Sequence, residues 1–147
     1  MNMIEKMTRR PLVVTCLGLA TGLIIGLTGG LGLAQVAPPT EHKGLTVEQL
    51  GFVPAESMAA QVDLNGRILL LRRITIEPGG QIGKHSAEST PAVVYMESGT
   101  WTEGREGGET EHTAGETFIE DKDTVHWFYN RGEEPAAALV CDIKPAS

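Results

Sequence analysis

The side chains of this sequence best suited to bind a metal ion or to transfer a proton near neutral pH are its four histidines. His42 lies in a Pro-containing segment and His112 in a polar, hairpin-like stretch, and neither setting predicts a function. His85 and His126 lie in strand-like stretches. Strand alternation places His85 on the same face as Ala87, and His126 on the same face as Phe128. These two imidazoles are therefore predicted to lie on defined faces of strands.

A second group with chemical potential is the pair Arg72-Arg73. The two residues are adjacent in a strand-like run, so alternation directs one of them inward. An inward guanidinium could pair with the carboxylate of a substrate. An internal partner such as Glu77 or Asp142 is the commoner explanation for such an arginine.

Residues 1–34 have the composition of a segment that directs export. Lys6, Arg9 and Arg10 precede a run over 12–34 that is almost wholly apolar or Gly. Positive charges before an apolar run are typical of a signal peptide and keep the N-terminus in the cytoplasm. The run is also long enough to cross a bilayer, which takes about 20 residues. We expect a cleaved signal peptide or an anchor in the inner membrane, and in both cases a periplasmic or extracellular domain.

The rest of the chain is predicted to be a linker and one domain. Residues 35–43 contain Pro38-Pro39 and polar residues, which is typical of a linker. Residues 44–147 are enough for one hydrophobic core. Short β-type runs separated by Gly, Pro and acidic turns predict an all-β sandwich or barrel. The clearest runs are Leu45–Val53, Arg67–Ile76, Ala92–Met96, Thr100–Thr102, Thr117–Ile119, Thr124–Tyr129 and Ala137–Ile143, with a helical turn at Glu56–Ala60 and a solvated hairpin loop at Gly104–Glu111.

One stretch of this domain resembles the first motif of the cupin superfamily. That motif consists of a Gly, five residues, His-x-His, a few residues, a Glu, six residues and a Gly. Gly79, His85 and Gly99 match it. The approach from Arg72 through Pro78 is similar to the way cupins often enter the motif.

A later stretch resembles the second cupin motif, which consists of a Gly, five residues, Pro-x-Gly, two residues, a His, three residues and an Asn. Gly115, His126 and Asn130 match, whereas Asp121 and Asp123 replace the Pro and the Gly. Both replacements suit a turn. The order and register of the two motifs imply a cupin double-stranded β-helix, which is a jelly-roll barrel, preceded by the N-terminal apolar helix.

The resemblance also bears on a metal cofactor. Cupins commonly hold iron, manganese, nickel or zinc with two His and the Glu of the first motif and the His of the second. By position, His85 and His126 match two of these ligands, whereas Ala87 and Ala92 replace the others. Two imidazoles alone make a poor site, because catalytic zinc and non-heme iron sites use at least three protein ligands. Glu88 is the nearby carboxylate that could complete the site if a bulge turned it inward.

Alternation along the strands also predicts the walls of a cavity inside the barrel. In the run after Pro91, every second side chain faces inward, and the partners of the two histidines on their strand faces do the same. The predicted pocket residues are Ala87, Ala92, Val94, Met96 and Phe128.

Three functions remain open at this point. The barrel could bind, and even transform, a small organic molecule with an incomplete metal site. Alternatively, it could be a metal-dependent enzyme of the dioxygenase or isomerase type that uses His85, His126 and Glu88. Or it could be a structural or assembly domain without bound metal.

The expected partners follow from charge and fold. Without residues 1–34 the chain holds 9 Lys and Arg against 18 Asp and Glu, a net charge of −9. Such an acidic domain is not expected to bind nucleic acid or an anionic membrane surface. We expect a small-molecule ligand, contact with a membrane through residues 1–34 if they are uncleaved, and a homodimer through strand edges.

Overall fold

The computed structural model describes residues 37–146, which form eight strands and one short helix. In chain order these are β1 (Lys43–Val53), α1 (Ala55–Val62), β2 (Arg67–Ser86), β3 (Ala92–Ser98), β4 (Thr100–Arg105), β5 (Gly108–Thr113), β6 (Thr117–Glu120), β7 (Val125–Tyr129) and β8 (Ala136–Pro145). The predicted all-β class is confirmed for this part of the chain. The N-terminal apolar helix and the segment 1–34 lie outside the described residues. Within the described range, no helix is long and apolar enough to span a membrane.

The strands wrap into a nearly closed antiparallel barrel of the jelly-roll type. The order is β5-β4-β7-β2-β8-β3-β6, and β1 adds to the first half of β2. β2 belongs to two layers, because residues 67–76 pair with β8 whereas residues 81–86 pair with β7. One layer thus contains β1, β8, β3 and β6, and the other contains β7, β4 and β5. The two ends of the strand order are a four-residue strand, β6, and the acidic strand β5, and short or charged edges resist further strand pairing.

A bend in the middle of β2 lets this strand pass from one layer to the other. Gly79 has a φ of 68°, a conformation that favours glycine. A Cβ on Gly80 would lie 2.7 Å from the carbonyl oxygen of Glu77. Asn130, which directly follows β7, fixes this bend with two hydrogen bonds. Its side-chain Nδ2 donates to the carbonyl of Ile76 at 2.8 Å, and its backbone carbonyl accepts from the N–H of Gly79 at 3.0 Å. The Asn of the second motif is therefore a structural residue here.

The hydrophobic core lies between the two layers. β3 alternates along its length, with Val94 fully buried and its neighbour Val93 about half exposed. Large side chains from the opposite layer meet this face, with the rings of Trp101 and Phe128 5.2 Å apart. The core consists of Ile74, Ile76, Ile82, Ala92, Val94, Met96, Trp101, Phe128, Ala136, Ala138 and Val140.

The hairpin between β4 and β5 is tighter than the sequence predicts. Glu103 pairs with Thr110 and Gly104 pairs with Glu109, so both strands continue through most of the expected loop. Gly104 belongs in the sheet because a Cβ there would lie 2.1 Å from Nε1 of Trp127. As a consequence, the side chain of Glu103 points into the barrel and is only 3 % exposed.

Candidate functional site

His126 is the most deeply buried imidazole of the barrel. It lies on β7 and has no exposed surface. Its Nδ1 is 2.6 Å from Oε1 of Glu103. A carboxylate can only accept a hydrogen bond, so Nδ1 of His126 carries the ring proton and donates it to Glu103. In the neutral ring, Nε2 of His126 then keeps its lone pair, and this nitrogen has no hydrogen-bond partner among the described residues.

Glu103 anchors a polar network on the wall behind His126. Its carboxylate also accepts from Nε2 of His112 at 3.1 Å and from the guanidinium of Arg105 at 2.8 Å. Burial alone would raise the pKa of Glu103, but the hydrogen bonds from His126, His112 and Arg105 outweigh burial and lower the pKa to about 2. Glu103 is thus ionised at neutral pH and fixes the tautomer of His126. Such an acceptor behind a histidine is a usual feature of metal sites.

His85 is half-buried beside His126, with the two ring centroids 4.6 Å apart. The residues are opposite one another on β2 and β7. Nδ1 of His85 donates to the carbonyl of Gly83 at 3.0 Å, so Nε2 again keeps its lone pair. Burial lowers the pKa of His85, which favours the neutral, ligating form of the ring.

The carboxylate nearest to these imidazoles belongs to Glu120, at the end of β6. Its Oε1 lies 3.5 Å from Nε2 of His126. Burial raises the pKa of Glu120, and the nearby carboxylates of Glu103 and Asp142 add to this effect, whereas the charge of Arg72 opposes it. A cation bound beside Glu120 would counter this effect of burial. In the sheet register, Glu120 is directly opposite Ala92, so it reaches the barrel interior from the strand next to the one on which cupins carry their Glu.

His85, Glu120 and His126 fit a divalent metal ion. One ligand atom from each residue lies within 4.8 Å of the other two. Both histidines have an Nε2 lone pair fixed by an acceptor on the opposite ring nitrogen, and the third group is a carboxylate. Two histidines and one carboxylate with open positions are the donor set of non-heme iron sites and of several catalytic zinc sites.

Glu88, the carboxylate suggested by the sequence, is not part of this cluster. β2 does have an irregular register between Ile82 and His85, but the strand ends at Ser86. Glu88 is exposed in the turn that follows, where its N–H donates to Oγ of Ser86. The bulge therefore does not turn Glu88 inward, and Glu120 is the carboxylate that lies beside the two histidines.

Two of the three candidate ligands, His85 and Glu120, line a cavity of about 370 Å³. Of the predicted pocket residues, Phe128 lines it. Ala92, Val94 and Met96 are buried in the core but are not part of the lining, and Ala87 is buried at the end of β2. The lining consists of His42, Leu45, Val47, Arg72, Ile74, Ile82, His85, Trp101, Glu120, Phe128 and Val140.

Two polar residues of this lining add to the site. Arg72 is the inward member of the arginine pair and forms an ion pair with the fully buried Asp142, the internal partner considered from the sequence. His42 reaches the cavity because the chain from Pro39 packs along β2, and its Nδ1 accepts from the N–H of Gly83 at 3.1 Å. Gly83 permits this approach, since a Cβ there would lie 3.0 Å from the backbone of Glu41.

The sequence profile of the Cupin domain family matches residues 72–142. No curated protein is significantly similar to the chain in sequence. The matched range begins at Arg72 and ends at Asp142, so it includes both motifs, the three candidate ligands and most of the barrel.

Solved structures give the same fold. A polyketide cyclase, RemF, from Streptomyces resistomycificus has a TM-score of 0.55 at 17 % identity, covering 76 % of this chain and 77 % of the other. A predicted oxalate decarboxylase from Thermotoga maritima has a TM-score of 0.52 at 21 % identity, covering 73 % and 93 %. The cupin domain of an XRE family transcriptional regulator from Enterobacter cloacae has a TM-score of 0.52 at 15 % identity, covering 71 % and 100 %. At these sequence identities, the similarity shows a shared fold but not a shared activity. The family profile identifies residues 72–142 as a cupin domain.

Proposed function

We propose that the protein binds one divalent metal ion through His85, Glu120 and His126 and acts on a small organic molecule held in the adjacent cavity. The observation that carries this proposal is the convergence of one ring nitrogen from each of two histidines on one carboxylate. A buried nitrogen without a partner, as in His126, is costly unless a ligand uses its lone pair.

Different residues of the chain would have different roles at such a site. Glu103 and the carbonyl of Gly83 orient the two imidazoles, while Glu120 supplies negative charge. Trp101 and Phe128 form an apolar wall that excludes water from one side of the cavity. When bound, the ion would polarise an oxygen atom of the organic ligand or support oxygen activation.

A second candidate is a binding module without metal. Ala87 and Ala92 stand at two of the four ligand positions of cupins, and this loss favours a barrel that has given up metal chemistry. The apolar lining and the size of the cavity suit a small-molecule pocket in either case.

Metal content separates the two candidates. We expect the purified protein to hold about one iron, manganese, nickel or zinc ion per chain, measured by mass spectrometry of the elements, because three protein ligands suffice for a catalytic site. His126→Ala and His85→Ala should each lose the ion, whereas Lys84→Ala, which changes an exposed neighbour on β2, should keep it. A protein that takes up no ion even when titrated with zinc or manganese would refute the metal site and favour the binding module.

We further propose that residues 1–34 direct export of this domain. The support is the basic start of the segment followed by its long apolar run. A fusion of the full chain to a reporter enzyme that is active only outside the cytoplasm should be active, and N-terminal sequencing of the product distinguishes a cleaved signal from a retained anchor. Replacing Lys6, Arg9 and Arg10 by glutamate should abolish reporter activity, and an unchanged signal would argue against export through this segment.

A further inference from the structure

We propose that the ligand of the cavity is a small organic monoanion, whose carboxylate is bound by Arg72 and His42 and whose apolar body lies against Trp101 and Phe128. This inference rests on the proposed function for the cavity and deepens it by naming a ligand class. It is carried by the hydrogen-bonding capacity left over on two residues of the lining and by the charge balance of the site.

Arg72 has unused donors. Nη2 donates to Oδ2 of Asp142, and this is the one hydrogen bond that the guanidinium makes to the described residues; Nε is buried, so the exposed Nη groups are the donors within reach of a ligand. The guanidinium is about a quarter exposed and contributes to the cavity lining. A buried ion pair that is only partly satisfied is a weak source of stability. Because guanidinium groups bind carboxylates with two parallel hydrogen bonds, Arg72 can engage a ligand while keeping its contact with Asp142.

His42, which directly precedes β1, is the second hydrogen-bond donor of the cavity lining. The N–H of Gly83 donates to Nδ1 of His42, so the neutral ring carries its proton on Nε2. Hydrogen bonds to the backbone before His42 hold this segment against β2. The backbone N–H of Lys84 donates to the carbonyl of Pro39 at 2.7 Å, and the side-chain amide of Gln81 donates to the backbone carbonyl of Glu41 at 3.0 Å. Arg72 and His42 thus present N–H donors to one cavity.

With a divalent ion bound, the charges around the cavity balance when an anion enters. Asp142 neutralises Arg72, and Arg105 neutralises Glu103. Of the remaining groups, Glu120 offsets one of the two positive charges of a divalent ion. One positive charge is then left over, which favours a monoanion over a neutral molecule or a dianion.

The apolar residues of the lining determine which kind of ligand body fits the cavity. Leu45 and Val47 of β1 line one part of the cavity, and Ile74 and Val140 line it from β2 and β8, the strands that carry Arg72 and Asp142. Such surfaces favour an apolar or aromatic body with the charge at one end. Benzoate has these features, and benzamide has the same shape without the charge.

The test compares benzoate with benzamide by calorimetric titration of the metal-loaded protein. We expect benzoate to bind about tenfold more tightly or better, since hydrogen bonds to charged groups contribute more than neutral ones. Equal affinities in the wild-type protein would overturn the proposal without any variant. Metal content measured on the same samples reports separately on the proposed function.

Variants locate the origin of the preference. Arg72→Met combined with Asp142→Asn removes both charges, so that neither is left buried alone, and it should reduce the affinity for benzoate to that for benzamide. Arg73→Met removes the adjacent guanidinium, which is paired with Glu48 and Glu97 on the outer face, and should leave the preference unchanged.

A preference for benzoate that survives in the double variant but disappears when the ion is removed would place the anion on the metal and overturn the role of Arg72. Should the double variant not fold, His42→Ala provides the second readout, with a severalfold loss of benzoate affinity expected and an unchanged affinity contradicting the proposal. If the protein binds no ion, the proposed function fails, but a preference that depends on Arg72 or His42 still supports the anion subsite, and its absence still refutes it.

Discussion

At the scale of single residues, the candidate site depends on which ring nitrogens carry protons. Glu103 and the carbonyl of Gly83 hold a proton on Nδ1 of His126 and of His85, which leaves both Nε2 atoms free to bind a cation. Glu120 then completes a set of three donors. Both proton positions are assigned from acceptors that cannot donate, namely the carboxylate of Glu103 and the carbonyl of Gly83. The residues that contact the two histidines from behind therefore determine which ring nitrogens can bind a cation.

The sequence indicated two of these three donors. His85 and His126 are found by their register in the two motifs. Glu120 could be approached through alternation, because it is two residues after Phe118 in a strand-like run, but its position opposite Ala92 depends on the pairing of β3 with β6. That pairing joins residues far apart in the chain, and a local pattern does not contain it. Glu88 is suggested as a ligand by its closeness to His85 in the sequence. However, β2 ends at Ser86, and this leaves Glu88 exposed to solvent.

We predict that Glu103→Gln weakens metal binding about 10- to 100-fold without removing it, as is usual for the second layer of a metal site. The amide has no charge to hold the proton on Nδ1 of His126. Isothermal titration with zinc measures the change, and Glu111→Gln, on the strand paired with that of Glu103, serves as the exposed control. An affinity equal to the wild type would show that Glu103 does not orient the imidazole.

At the scale of elements, the bend of β2 connects the two motifs to the two layers. The first half of β2 carries Arg72 in one layer, and the second half carries His85 in the other. The strands and their alternation follow from the sequence pattern, since Gly and Pro mark the turns. The sequence did not predict the length of the β4–β5 hairpin, because the packing of Trp127 on Gly104 depends on contacts between distant strands. It was this hairpin that brought Glu103 inside.

We predict that Asn130→Ala destabilises the protein by about 1–3 kcal/mol, because it leaves the buried carbonyl of Ile76 without its donor. The free energy of unfolding in urea measures the loss. Asn65→Ala, which removes an exposed amide bonded to Asp63, should change it by less than about 0.5 kcal/mol. Equal stability of the two variants would contradict the role of Asn130 in fixing the bend.

At the scale of the whole molecule, the protein combines an acidic barrel with a segment whose sequence predicts export. The two ends of the strand order are short or acidic, whereas the 11-residue strand β1 pairs with β2 alone among the described strands. The homodimer expected from the sequence stays a prediction for sedimentation to test. The metal site joins β2, β6 and β7, which lie in different layers of the barrel. Binding at such a site should stabilise the entire fold.

We therefore predict that zinc at about 100 times its dissociation constant raises the free energy of unfolding by about 2.7 kcal/mol. Thermal unfolding with and without zinc, at fixed protein concentration, measures the effect. His126→Ala should abolish the increase even if it is less stable to begin with. An equal gain in this variant would mean that zinc binds elsewhere, for example at the acidic surface.

The central claim is that Glu120 supplies the carboxylate that cupins normally carry on the neighbouring strand. The most direct measurement is the affinity for zinc of three proteins: the wild type, Glu120→Gln and Glu88→Gln. We predict one ion per chain in the wild type, a loss of affinity of about tenfold or more in Glu120→Gln, and no change in Glu88→Gln. A loss in Glu88→Gln with Glu120→Gln unaffected, or a wild-type protein that binds no ion, would contradict the account.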